Sequence, residues 1–162
     1  MANDILILEG TAFTLNNAST PAFAFKNLAS AAGYVSGVKD LGATFARRYA
    51  IVIKTKFATA PTAGHALEFY AVRCNDGSGT KRDGLVTLNA ALGAATDRYV
   101  LQFIGVGIVK NNNTEQDFYL SAAWEPQCRY NAFCIYNDTT QALTNTDADH
   151  EVTFTPLKDQ VQ

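Results

Sequence analysis

The side chains able to do chemistry are few in this 162-residue chain and stand far apart. His65 and His150 are its two imidazoles, and neither has a Cys, Asp or Glu at a spacing that would make a metal site. His65 falls in a turn rich in Pro and Gly. His150 opens a strand between Asp149 and Glu151, whose side chains would point to the opposite face, so it is expected at the surface or at a sheet edge. The three cysteines, Cys74, Cys128 and Cys134, are odd in number and form no CxxC or Cys/His pattern. If Cys128 to Cys134 is one strand, residues rising about 3.3 Å each hold these two sulfurs about 20 Å apart, beyond disulfide reach. Free, half-buried thiols are the expectation.

Acyl transfer through a nucleophile elbow would need G-x-S-x-G, which does not occur. Glycoside hydrolysis would need two acids about 5 to 9.5 Å apart in a cleft. The acids here fall mostly in turns: Asp76, Asp83, Asp138, Asp147 and Asp149. Asp147 and Asp149 form the densest acidic patch, which a solvated turn accounts for. Asp76, Ser78 and Thr80 alternate as in a calcium loop, but the glycine is not at the sixth position and no carboxylate follows at the twelfth. The string Gly77-Ser78-Gly79-Thr80-Lys81 lacks the GK[ST] ending of a phosphate loop. No catalytic, cofactor-binding or metal-binding residue is nominated, no cofactor is expected, and the chain reads as a non-enzyme. One binding constellation is open: Trp124, Tyr119, Tyr130 and Tyr136 come from neighbouring strands and either fill the core or form an exposed aromatic face for a sugar.

Bulk properties narrow the partners. Thirteen basic and 15 acidic side chains give a net charge of −2, which leaves no electrostatic footprint for nucleic acid or an anionic membrane. The Arg47-Arg48 and Lys81-Arg82 pairs read as solvated charges. The start Met1-Ala2-Asn3-Asp4 has no basic region, and the apolar run Ile5-Leu6-Ile7-Leu8 is too short for a signal or a membrane span; a protein made in a cytosol and staying soluble is expected. The sequons at Asn17, Asn112 and Asn137 then carry no meaning. Hydrophobic content of 48% is ample for one folded domain.

The elements that must position these residues are strands. In Arg47 to Val72 the residues Tyr49, Ile51, Ile53, Thr55 and Phe57 share one face of an extended chain, and Ala50, Val52, Lys54 and Lys56 the other. Pro61 and Gly64 mark a turn, after which Leu67, Phe69 and Ala71 resume the alternation, predicting a hairpin with a long loop. Asn3–Glu9 and Thr11–Leu15 read as short extended segments parted at Gly10. From Asn16 to Gly42 small residues dominate, predicting either an arm that orders on a partner or a pair of edge strands. Leu85, Leu88 and Leu92 have the spacing of one or two helical turns. Arg98–Lys110 is apolar on both faces and suits a central strand covered by a second sheet or by a neighbouring subunit, with Gly105 and Gly107 marking a bend or a close approach. Strands follow at Phe118–Ala122, Cys128–Tyr136 and His150–Leu157. Some eight strands with scarcely any helix predict an all-β, jelly-roll-like antiparallel β-sandwich over residues 46–162, with a less regular N-terminal region over 1–45, folding as one unit.

The succession ARRYAIVIKTKFATAPTAG, LEFYAV, YVLQFIGVGIV, RYNAFCIYNDTTQALT and EVTFTPLKDQVQ resembles small structural proteins from the virion-gene regions of tailed bacteriophages, with a TAP-x-AG turn after an aromatic-aliphatic strand and a TP-x-x-x-x-VQ ending. The resemblance covers Ala46 to Gln162; the Cys128–Cys134 strand and the Asp76–Asp83 loop depart from it. It implies a virion component, made in the host cytoplasm and located in the virion, foremost a head decoration or cement protein present in many copies. The implied partner is the major capsid protein lattice, and the implied state is a homo-oligomer such as a trimer. The alternative is a carbohydrate- or host-receptor-binding module of a phage tail, with Trp124 at its centre.

Overall fold

The computed structural model describes residues 11–157. The extended segment expected at Asn3–Glu9 and the last five residues of the VQ ending lie outside that range. Two antiparallel sheets pack face to face as a β-sandwich. One holds β1 (Phe13–Leu15), β10 (Glu151–Pro156), β4 (Tyr49–Thr55) and β8 (Gln116–Tyr119), in that spatial order. The other runs β6 (Ala90–Ala91), β2 (Ala32–Val35), β9 (Tyr130–Asp138), β5 (Ala66–Cys74) and β7 (Gln102–Ile108), with the short β3 (Lys39–Asp40) also paired to β9. We call them the four-stranded and the six-stranded sheet.

Alternation in β4 is as its sequence requires. Tyr49, Ile51, Ile53, Thr55 and, just beyond the strand, Phe57 are buried, while the residues between them are only partly covered. β5 likewise buries Leu67, Phe69 and Ala71 in the same core. The two strands nevertheless form no hairpin. β4 pairs with β10 and β8, and β5 pairs with β7 and β9, so the Pro61–Gly64 stretch crosses from one sheet to the other. Both strands need a covered inner face, and lying opposite each other satisfies that as well as lying side by side.

The segment expected to be an arm or edge is part of this core. Phe23 and Phe25 are fully buried with their rings tilted against each other at 4.9 Å, and Leu28 joins them. Burying each phenyl contributes roughly 1.5–3 kcal/mol, which offsets the weak strand propensity of the Ala, Ser and Gly around them. β2 is flanked on both sides, by β6 and β9, and is not an edge. The leucines spaced for a helix form none: Leu85 ends a short 3₁₀ turn (Asp83–Leu85), and Leu88 and Leu92 bracket β6.

A second apolar cluster lies on the outer face of the six-stranded sheet. Val35, Tyr70, Val72, Ala132, Cys134 and Tyr136 point away from the sandwich, and Val86, Leu88, Leu92 and Leu101 of the excursion between β5 and β7 cover them. β9 is therefore the strand buried on both faces, with only its last residue exposed. Arg98–Lys110, expected to be that central strand, instead supplies a 3₁₀ turn (Ala95–Val100) and β7, which lies at the sheet edge.

Candidate interaction surface

The structure keeps the chemistry-bearing side chains apart. Among the described residues no group of three or more His, Cys, Asp and Glu could hold a metal ion. The carboxylates are largely engaged in holding loops. Asp76 Oδ1 accepts from Ser78 N, Ser78 Oγ and Thr80 N, and the Ser78 hydroxyl foremost lowers its pKa. Asp83 takes Arg73 at 2.7 Å, and Asp147 takes Lys26 at 2.9 Å. Asp40 takes Arg129 in a two-pronged pair at 2.6 and 2.7 Å, whose hydrogen bond brings the carboxyl to about 2. A shallow cleft of about 410 Å³ beside Arg73, Asp83 and Cys128 is spanned by the first of these pairs, and the Cys128 thiol donates to Tyr130 O at 3.2 Å. All three cysteines are free, with Cys74 and Cys134 buried.

His150, expected at the surface, is 3% exposed. It continues inward the even-numbered face of β10, with Val152 and Phe154, which alternation alone could have shown. Nε2 lies 2.9 Å from Thr144 O and so carries the proton, leaving Nδ1 to accept from Thr55 Oγ1 at 2.7 Å. Burial lowers its pKa, so the ring is a neutral structural crosslink. His65 is exposed, with Nδ1 3.2 Å from Asp138 O.

The aromatic face expected for a sugar is not assembled. Trp124 is 2% exposed and lies between the sheets, edge-on to Phe133 at 5.1 Å and to Phe154 at 5.9 Å. Tyr136 is buried on the outer face of the six-stranded sheet, and Tyr130 is half-buried beneath the Arg129 guanidinium. Tyr119 is 76% exposed on β8, paired with Val52 on the outward face of the other sheet. A large indole fills the sandwich interior better than a solvated groove.

What the structure does gather is apolar surface. Six of the large apolar side chains left exposed come from one stretch and the turn that packs on it: Leu85, Tyr99, Val100, Phe103, Val106 and Ile108. Register explains why. Phe103 is opposite Tyr70, Val106 opposite Glu68 and Ile108 opposite Ala66, all on the outer face, where the covering excursion ends before it reaches β7. Gly105 and Gly107 face inward, and a Cβ on Gly107 would sit 2.5 Å from Phe118 Cγ, so β7 approaches β8 as closely as a glycine allows.

A polar network supports this patch from below. Arg98 is buried, and its Nε donates to Glu68 Oε2 at 2.8 Å; the Tyr70 hydroxyl donates to the same oxygen at 2.6 Å. The guanidinium lies over Tyr136 at 3.9 Å and Tyr99 at 4.6 Å. Burial, reinforced by the Glu68 carboxylate, pushes the Tyr70 hydroxyl far up, so it stays a donor at any physiological pH. Tyr99, 69% exposed, is thus fixed by Arg98 while its ring meets solvent. β7 has a strand partner on one side only, β5, among the described residues. Its seven residues contain no charge and no proline, two of the devices that protect edges, while its ladder to β5 shifts register at Ile104, between the Phe69–Gly105 and Tyr70–Phe103 pairs. Comparison with family models, with curated proteins and with solved structures gives no match.

Proposed function

We propose that the protein is a non-enzymatic structural component of a virion, a head decoration or cement protein that binds and stabilises the capsid shell as a homo-oligomer. The observation that carries the reading is the apolar surface of Leu85, Tyr99, Val100 and Phe103 beside β7, which has one strand partner among the described residues. Aromatic and aliphatic side chains held rigid at a surface are what a buried protein contact needs. The strand order supports a jelly roll, since β1-β10-β4-β8 faces β2-β9-β5-β7 and successive long strands mostly change sheets. Such double sheets serve in viral coats, an analogy of fold and not of site. A net charge of −2 fits a protein lattice better than nucleic acid as partner.

The test is to mix the purified protein with phage heads assembled without it, sediment them, and count bound copies by quantitative mass spectrometry. Saturation at hundreds of copies per head is expected, with loss of binding in a Leu85→Glu, Tyr99→Glu double variant that melts as the wild type does. A few copies per particle, or none, would remove the decoration role.

A further inference from the structure

The edge of β7 and the face of β7 are different surfaces. The face looks outward and carries Phe103, Val106 and Ile108; the edge lies in the plane of the sheet and offers main-chain N–H and C=O groups. We infer that this edge is occupied by the N-terminal segment Asp4–Glu9 of a second copy of the chain, added as a further antiparallel strand, so that copies join head to tail into a closed ring.

Three observations select that occupant. The segment DILILE is apolar at both alternate sets of positions, Ile5 and Ile7 on one, Leu6 and Leu8 on the other. A strand beside β7 suits this, because one set would extend the outer apolar face and the other would continue the inward face on which Gly105 and Gly107 meet Leu120 and Phe118. Its length also fits: six residues at about 3.3 Å cover about 20 Å, close to the span of the seven-residue β7. A second β7 offered edge to edge would bring Ile104, Gly105 and Gly107 to the inward side, with less side-chain volume than a pair of leucines or isoleucines.

Chain geometry makes the donation intermolecular. The described chain begins at Thr11, immediately before β1, and β1 is at the edge of its sheet opposite to β8. β8 and β7 follow each other in the chain and lie at the same side of the sandwich, Phe118 directly beneath Gly107. From β1 to that side is three strand spacings, roughly 14 Å, plus about 10 Å between sheets. Gly10 alone cannot span this. Since donor and acceptor edges lie on opposite sides of one molecule, each interface joins unlike surfaces, an arrangement that gives a ring of three or more where the rotation between copies closes and a filament where it does not. The inference rests on the homo-oligomer of the proposed function, whose contact it names, and is separate from shell binding.

Light scattering on the full chain measures the state, and cross-linking locates the contact. The wild type is expected at three or more times the chain mass, and a variant lacking residues 2–9 is expected as a folded monomer with an unchanged circular dichroism spectrum. Should that deletion impair folding, Leu6→Lys, Leu8→Lys is the second variant. In a Cys128→Ser background, Leu6→Cys and Val106→Cys proteins purified separately and mixed under oxidation should give a disulfide-linked pair of one copy of each. A monomeric or dimeric wild type would overturn the proposal, as would a deletion variant that keeps its oligomeric mass. Val106→Cys coupling to itself in place of Leu6→Cys would assign the edge to a second β7 instead. Heads may take up a monomer or refuse a ring, so this result and the shell-binding result are read independently.

Discussion

The outer face of the six-stranded sheet has two halves that the chain treats differently. Over β2, β9 and the C-terminal half of β5 the excursion between β5 and β7 covers Tyr70, Cys134 and Tyr136 with Val86, Leu88 and Leu101. Over β7 the same face leaves Phe103, Val106 and Ile108 in solvent. Residue type does not separate the halves, since both are aromatic and aliphatic. What separates them is whether the chain has length left to cover them. An apolar face that a protein does not cover with itself is available to a partner. The difference is testable by substitution, because the covered half should contribute to folding and the open half should not.

The largest contrast is expected between two aromatic truncations on this one face. Tyr136→Ala empties a buried site beneath Arg98 and should cost about 3–5 kcal/mol, as large-to-small changes in cores do. Phe103→Ala removes a ring that touches Tyr70 edge-on at 5.5 Å but is mostly solvated, and should cost under about 1 kcal/mol. Urea unfolding followed by tryptophan fluorescence measures both. Equal costs would mean that the open half is structural after all.

The boundary between the halves is the Arg98–Glu68 pair, with side-chain exposures of 10% and 20%. Removing the guanidinium by Arg98→Ala leaves the Glu68 carboxylate with Tyr70 as its donor and takes the support from Tyr99. A loss of about 1.5–3 kcal/mol is expected, in the range for hydrogen bonds to charged groups. The loss should shrink in a Glu68→Gln background, where no buried charge is stranded. A double-mutant cycle with those two changes gives the coupling, and zero coupling would make the pair incidental.

Glycines tune the inner side of the open half. Gly107→Ala must displace the Phe118 ring and should cost about 1–3 kcal/mol, whereas Gly105→Ala meets Leu120 at an ordinary 3.5 Å and should be tolerated. Thermal melts of the two variants rank them. The reverse ranking would show that β7 does not approach β8 as described.

Sequence reasoning reached the strands and their inward faces, because a period of two is a local property: Tyr49, Ile51 and Ile53 are inward, and so are Val152 and Phe154. Pairing is not local. Nothing in residues 47–72 distinguishes a turn within a sheet from a crossing between sheets, and so β4 and β5 read as a hairpin. Phe23 and Phe25 were hidden for a different reason, since large side chains among Ala and Ser give no periodicity until a core reaches out to take them. Arg98–Lys110 read as the central strand covered on both faces, but β9 is the one covered twice and β7 lies at the edge, a matter of where the 75–101 excursion lies. The apolar surface at Leu85 and Tyr99 had no signal as a surface, because exposure is set by register and coverage and not by residue type.

The last contrast uses the cysteines as probes of coverage. Burial pushes the Cys74 thiol up to about 11 and the Cys134 thiol up to about 12, so near pH 8 both are protonated as well as shielded by the covered half. Thiolate, not thiol, attacks a disulfide reagent, so neither should react while the protein is folded. Half-buried Cys128 should be the one thiol titrated quickly in the native state, with the other two appearing only in denaturant. Phe103→Cys places a fourth thiol on the open half, in the same sheet as Cys74 and Cys134, and it should react at least as fast as Cys128. If instead it is protected in the free protein at micromolar concentration, and becomes reactive on dilution or on deletion of residues 2–9, then another copy is already seated on β7. The open half would then be the half that assembly closes.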